Sequence, residues 1–311
     1  MKYAIGLDLG GSSIKYGLVS NEGTILKEGK IPSCADKSAE KIISQLLLAV
    51  ETAMQYAKED NIEICGVGIG TPGIVDEKNG VVLGGAENLA GWENISLAKI
   101  IREYSGLNTY VNNDTNVMGL AEAHFGAAKG CTVGIFLTVG IGIGGAVIID
   151  GKLYGGYKNR GTELGHVPFI ANGERSACGS VGCLEMYASA AAMVKRYKKK
   201  YEEKHGTSLS DIDGEHIINL YKSEDEIAIA SINENCSFLG HAIAGFINIF
   251  SPQKIIIGGG LTDAGEFYID KIREEVKLYV MADCAVNTTI ERAVLGNKAG
   301  FMGAAGLCFV D

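Results

Sequence analysis

Short apolar runs broken by glycine set the pattern of the chain. Residues 3–9 and 14–20 are apolar or alternating, and Gly10, Gly11 and Ser12 separate them. That predicts two strands of a hairpin, with a third strand over 24–31. Residues 38–58 follow a helical period instead. Ile42, Ile43, Leu46, Leu47, Val50 and Met54 fall on one stripe, and Ser38 with Glu40 marks the start. A buried strand over 64–70 ends in Thr71, Pro72 and Gly73. A helix over 96–104 and a strand over 108–112 close the first half, and a further helix begins at Asp114.

The second half repeats the theme. Strands over 131–139 and 143–149 flank a glycine turn. Helices follow over 183–204 and 225–250, then a strand over 254–259, a helix over 266–280, a strand near 288–292 and a last helix over 299–309. The order βββαβαβα therefore occurs roughly twice. It predicts an α/β protein of two like halves, with a ligand cleft between them and a helix crossing as the hinge.

Composition narrows the picture. A chain of 311 residues exceeds what one core usually serves, which predicts two domains. A net charge of −9 argues against a general affinity for nucleic acid or an anionic membrane. The one basic run, 195–200, suits the C-terminal end of a helix. The N-terminal MKYAIGLDLGG enters a strand at once and reads as no signal peptide. No apolar stretch reaches the ~20 residues of a membrane span. The 8 cysteines then read as free thiols and metal ligands, and a cytoplasmic location is expected.

Five segments carry candidate chemistry. In DLGGSSIKYGL (8–18), Asp8 ends a strand and Gly10, Gly11 and Ser12 form a turn whose N–H groups can cradle phosphate. Asp8 can hold a hydrated Mg²⁺, and Lys15 adds positive charge; a plain hairpin is the bland alternative. In FLTVGIGIGGAVI (136–148), Thr138, Gly140 and Gly142 lie between two strands. The GxGxxG spacing over 140–145 resembles a dinucleotide fingerprint, but that reading needs a helix next, and AVIID is a strand. A second phosphate hairpin is expected instead. In NNDTN (112–116), Asp114 opens a helix, where a carboxylate can take a proton from a hydroxyl or act only as an N-cap. Asn113 and Asn116 can bind sugar hydroxyls or cap the same helix. In KIIIGGGL (254–261), Gly258, Gly259 and Gly260 would let a base or ribose lie against the backbone.

The fifth segment is GTELGHVPFIANGERSACGSVGCLE, 161–185. His166, Cys178 and Cys183 are zinc-ligand types, and Ser176 stands where a fourth ligand is expected. Glu163 and Glu185 flank them and can accept hydrogen bonds from hydroxyls.

Together these segments resemble the ROK family (repressors, open reading frames, kinases), in particular its bacterial sugar kinases, over essentially all of 3–309. DLGGSSIKYGL is similar to the family's first phosphate motif. GVGIGTPGIVD (66–76), with Gly73, is similar to its sugar-side loop, and ENLAGW (87–92) to a segment that brings an Asn, here Asn88, to the sugar. NNDTN matches the segment of the catalytic Asp, here Asp114, preceded by the sugar-binding Asn113. The signature E-x-G-H…C-x-C-G-x-x-G-C-x-E falls on Glu163, His166, Cys178, Cys183 and Glu185. IIIGGGL matches the nucleotide-side glycines, here Gly259 and Gly260.

The resemblance implies an actin-like ATPase (ribonuclease H-like) fold of two lobes with an interlobe cleft. The smaller lobe would be 1–114 plus 298–311, and the larger 115–297. It implies ATP and Mg²⁺, with Asp114 as the base that frees a sugar hydroxyl to attack the γ-phosphorus. Asn88, Asn113, Glu163, His166 and Glu185 would orient the sugar. A homodimer formed through the larger lobe is also implied. Two departures stand out: Ser176 replaces the first Cys of the C-x-C pair, and Ile141 stands where these kinases often carry Thr. The expected activity is a hexokinase acting on glucose, with an N-acetylmannosamine or N-acetylglucosamine kinase or a fructokinase as alternatives. A sugar-responsive repressor is the reading of another class. The phosphate strand beginning at Tyr3, with no helix-turn-helix ahead of it, argues against it.

Overall fold

The computed structural model describes residues 1–309. The chain opens with β1 (Tyr3–Leu9), β2 (Ser13–Ser20), β3 (Ile25–Pro32) and α1 (Ala39–Glu59). β4 (Ile64–Thr71), the short β5 (Ile74–Asp76) and β6 (Val81–Gly84), α2 (Leu97–Ser105), β7 (Thr109–Asn113) and α3 (Asp114–Phe125) follow. Then come β8 (Val133–Val139), β9 (Ile143–Ile149), β10 (Lys152–Leu153), α4 (Glu185–Ala188), α5 (Ala190–His205) and α6 (Gly214–Lys222). α7 (Glu226–Phe250), β11 (Lys254–Gly258), α8 (Glu266–Tyr279), α9 (Ala282–Ala285), β12 (Thr289–Arg292) and α10 (Ala299–Gly306) complete it. One five-stranded sheet has the order β3-β2-β1-β4-β7, the other β10-β9-β8-β11-β12. The chain divides into two compact units. One holds 1–132, 146–162 and the segment from Leu295; the other holds 133–145 and 163–294. By packing, α3 goes with the first unit.

Strand alternation builds the first unit. Ile5, Leu7 and Leu9 of β1 face a core shared with Ile42, Leu46 and Val50 of α1. Ala4, Gly6 and Asp8 alternate onto the other face, where Ala4 joins Phe301, Met302 and Ala305 of α10. Small residues are needed there because α10 lies directly on the strands. A Cβ on Gly6 would fall 1.8 Å from the Phe301 carbonyl oxygen, and one on Gly68 1.7 Å from that of Ala304. Ser38 caps α1 as expected, accepting from the Lys41 N–H.

Three expected elements differ. The helix over 183–204 is two helices, because Ser189 is extended (φ −71°, ψ 162°) and caps α5 with its hydroxyl. The final helix stops at Gly306 rather than 309. The second half also carries α6 and α9, so its element order is not a plain copy of the first.

Gly303 tests the α10 packing. Alanine would favour the helix by about 1 kcal/mol. Its Cβ, however, would sit 1.7 Å from the Val117 carbonyl oxygen of α3, and overpacking of that kind costs about 1–3 kcal/mol or more. Gly303→Ala is therefore expected to lower the thermal midpoint. An unchanged midpoint would mean that α10 can move off α3 freely.

Candidate active site

In the first unit, parallel pairing gathers the candidate residues at one edge of the sheet. β1 pairs in parallel with β4, and β4 with β7, so that Asp8 lies opposite Gly70 and Thr71 opposite Asn113. All are at the C-terminal ends of their strands, where open α/β sheets bind ligands. Asp8 is 7% exposed, and burial pushes its carboxyl up to about 6. Lys15, whose Nζ lies 4.0 Å from Oδ2, opposes that rise, and the nearby Asp114 adds to it. Burial also raises the Asp114 carboxyl, against hydrogen bonds from Thr115.

Asp114 is not the N-cap of α3. Asn113 is: its Oδ1 accepts from the N–H groups of Thr115 (2.9 Å) and Asn116 (3.3 Å). Asn113 Nδ2 donates to the Gly73 carbonyl at 3.0 Å, which joins two sugar-side candidates. Asp114 is thus the first helical residue, and its Oδ1 accepts from the Thr115 N–H at 2.8 Å. The Gly10 N–H donates to the Ser13 carbonyl and closes the first hairpin turn, with Gly11 and Ser12 exposed at its tip. The exposed Asn88 has its amide beside Gly11. Lys15 also donates to Asn297 Oδ1 at 3.3 Å.

In the second unit, the rejected dinucleotide reading stays rejected, since the glycines lead into strand β9. Gly140 and Ile141 line a cavity of about 520 Å³ together with Gly260, Leu261 and the start of α6. The second phosphate hairpin and the nucleotide-side glycines therefore meet on one surface. Ile141 stands 89% exposed at its tip. Thr138 is half-buried and pairs with Gly258. Gly259 (φ +92°) packs under Val139, whose backbone leaves no room for a Cβ. A Cβ on Gly142 would fall 2.4 Å from Glu185 Oε2, and that same oxygen accepts from the Ile143 N–H at 2.8 Å. Glu163 is exposed and its carbonyl accepts from the His166 N–H, forming the turn that carries the imidazole.

The cysteine segment is a closed knot. Ser176 and Ser180, Phe169 and Gly182, and Leu184 and Val167 are joined by backbone hydrogen bonds. The ligand atoms of His166, Cys178 and Cys183 lie within 4.8 Å of one another, and the two Sγ atoms are 3.6 Å apart. His166 Nδ1 is buried with no hydrogen-bond partner among the described residues. Ser176 is buried beside them, and its hydroxyl, with lesser hydrogen bonds, holds the Cys178 thiol down at about 7. This donor set fits a soft metal with three protein ligands.

Several contributors were not singled out from the sequence. Gly300 makes room for Asp8, since a Cβ there would lie 2.4 Å from its carboxyl carbon. The buried Asn112 accepts from the Asn113 N–H and from the amides of Asn116 and Asn159, bracing the Asp114 segment. Trp92 Nε1 donates to Thr71 Oγ1 at 2.8 Å, tying the Asn88 loop to the end of β4. Asp213, the N-cap of α6, and Glu215 and Asn219 within that helix also line the cavity.

Asp8 carries a cost that can be measured. Its folded pKa of about 6 exceeds the ordinary 3.8, so its ionisation opposes folding, fully above about pH 6 and not at all below about pH 4. Asp8→Asn removes that cost, at most about 3 kcal/mol, a net figure that already includes the attraction of Lys15. The variant is expected to melt higher than wild type at pH 7.5, with the gap closing by pH 4. A variant that melts lower at pH 7.5 would refute the desolvation account.

Comparison with known proteins identifies the family. The ROK family model matches residues 4–309. A glucokinase from Thermotoga maritima is 34% identical over 310 residues, 97% of this chain and 96% of the relative. A xylose repressor from Caldicellulosiruptor bescii is 30% identical over 313 residues, 99% of this chain but 78% of the repressor. The crystal structure of a ROK family glucokinase from Streptomyces griseus in complex with glucose and AMPPNP has a TM-score of 0.81 at 32% identity, covering 98% of each chain. These likenesses support a sugar kinase that uses ATP. The chain belongs to the ROK family and has the two-lobed, actin-like ATPase fold of that family's sugar kinases.

Proposed function

We propose that the protein is an ATP-dependent hexose kinase that converts glucose to glucose 6-phosphate. The observation that carries this is Asp114. It is a carboxylate raised by burial, next to a second buried carboxylate, with the capping role taken over by Asn113. Asp114 takes the proton from the sugar hydroxyl as that oxygen bonds to the γ-phosphorus. The bond from γ-phosphorus to the bridging oxygen breaks, and ADP leaves with the electron pair. Asn88, Asn113, Glu163, His166 and Glu185 orient the sugar. The Gly10–Ser12 turn, Lys15, Thr138 and the Gly140–Gly142 hairpin take the phosphates, and Gly259 and Gly260 the nucleoside side. Asp8 would hold Mg²⁺, which would supply charge neutralisation on the phosphates.

Likeness to proteins named glucokinase supports glucose; a hexosamine or fructose substrate would use overlapping polar contacts. The repressor relative favours a second reading, a regulator that binds sugar without turnover. Retention of both Asp8 and Asp114 supports the kinase. The exposed Ile249, Leu278, Met281 and Val286, at the ends of α7, α8 and α9, support a homodimer. A cytoplasmic location is part of the same proposal; no helix among the described residues is long and apolar enough to cross a membrane.

An ADP-coupled assay across glucose, fructose, mannose, N-acetylglucosamine, N-acetylmannosamine and allose should give its highest kcat/KM on glucose. Silence on all six would sink the kinase reading. Asp114→Asn should lower kcat by about a hundredfold or more while glucose still binds, as loss of a general base predicts. Near-normal turnover would remove Asp114 from that role.

His166, Cys178 and Cys183 would hold zinc, which would brace the knot that leads into Glu185. Ser176 leaves three protein ligands. Ser176→Cys, completing a tetrahedral set, is therefore expected to raise zinc retained through chelator dialysis, measured by elemental analysis. Equal zinc content in both proteins would count against the site.

A further inference from the structure

One chain of buried contacts in the second unit has no part in the roles assigned above. Asn235, midway along α7, has no exposed surface. Its Nδ2 donates to the Ala188 carbonyl at 2.9 Å, and its Oδ1 accepts from the Tyr268 hydroxyl at 2.6 Å. Tyr268, on α8, is 1% exposed. Arg196 of α5 donates to the neighbouring Tyr187 carbonyl and stacks over the Phe238 ring, 5.1 Å from its centroid.

Tyr187 and Ala188 are the last residues of α4, a helix of four residues. So short a helix cannot hold itself, and its terminal carbonyls need outside donors. Asn235 and Arg196 provide them. The other side of α4 grips the second hairpin. Glu185, its first residue, accepts from the Ile143 N–H, and just past its end the Ala190 N–H donates to the Gly140 carbonyl at 2.8 Å. These two bonds bracket the Gly140–Ile143 turn. A leucine at 235 could fill the same seam, but the Ala188 carbonyl would then be buried without that donor.

We propose that Asn235, seated by Tyr268, is a positioning residue that fixes α4 and through it both Glu185 and the Gly140–Gly142 hairpin. One strut then sets the sugar-orienting carboxylate and the phosphate cradle together. The functional half of this statement rests on the kinase reading; the mechanical half does not.

The test compares Asn235→Ala and Tyr268→Phe with Leu239→Ala, which removes a buried apolar side chain from the same helix. Amide hydrogen exchange at Ile143 and Ala190 is followed in the ligand-free protein, so no activity is needed. Asn235→Ala should speed exchange at both amides about tenfold, as loss of a supporting hydrogen bond does, and Tyr268→Phe by less. Leu239→Ala should change them no more than it changes the strand amides. In the assay, Asn235→Ala should raise the KM values for glucose and ATP together by about tenfold, with a smaller change in kcat. A lower melting point with unchanged exchange at Ile143 would overturn the proposal, leaving Asn235 a core residue only. If Asn235→Ala does not fold, Tyr268→Phe decides by the same amides. Faster exchange with an inactive wild type would uphold the strut and sink the kinase reading instead.

Discussion

The first unit is organised around two carboxylates kept out of water. Asp8 sits at the C-terminal end of β1 and Asp114 directly after β7, and Asp114 adds to the cost of ionising Asp8. Burial lifts both, and the compensation is partial: Lys15 on the paired strand, and the Thr115 N–H at the start of α3. Isolated charges are rarely buried, and structural needs would be met by a neutral residue. Strongly perturbed groups of this kind concentrate where protons or phosphates are handled. Much of the surrounding packing follows from giving these carboxylates room. Gly300 leaves space for Asp8, and Gly6 and Gly68 let α10 lie on the sheet whose edge carries both acids.

The second unit solves a different problem, that of holding a glycine turn still. Gly140 has nothing within reach of a Cβ, so its own packing does not define it. Definition comes from Glu185 at the start of α4, from Ala190 at the start of α5, and from the helices behind α4. Glu185 is thereby committed twice, once to the hairpin backbone and once, in the proposed reaction, to the sugar. The cysteine knot just before α4 fixes where that helix begins. Its backbone hydrogen bonds close the knot, while its three converging metal-ligand types and Ser176 suit it to a metal.

A fold shared by proteins named as kinases and as repressors does not by itself decide between catalysis and regulation. The groups at the site carry that weight. Asp114 is free of the capping role that would explain it structurally, and Asp8 is held at a desolvation cost. Ile141, exposed at the tip of its hairpin, leaves the backbone of that turn as the group available to a phosphate.

Much of this was legible in the chain itself. The alternation IGLDL puts Asp8 on the face opposite Ile5, Leu7 and Leu9, the stripe from Ile42 to Met54 writes α1, and the strand AVIID rules out a dinucleotide loop. Residue type also marked Asp114, the His166, Cys178 and Cys183 cluster and the two hairpins. Other features were decided only in three dimensions. Asn113 rather than Asp114 caps α3, because the extended backbone at Asn113 aims its side chain back at the helix. The run from 183 to 204 breaks at Ser189, although its spacing reads as one helix. The contacts of Glu185 with Ile143 and of Asn235 with Ala188 span 42 and 47 residues. Period and residue type encode which side of an element is buried and what chemistry it carries. Which donor meets which acceptor across such distances is fixed by how the elements pack, and that information exists only once the chain has folded.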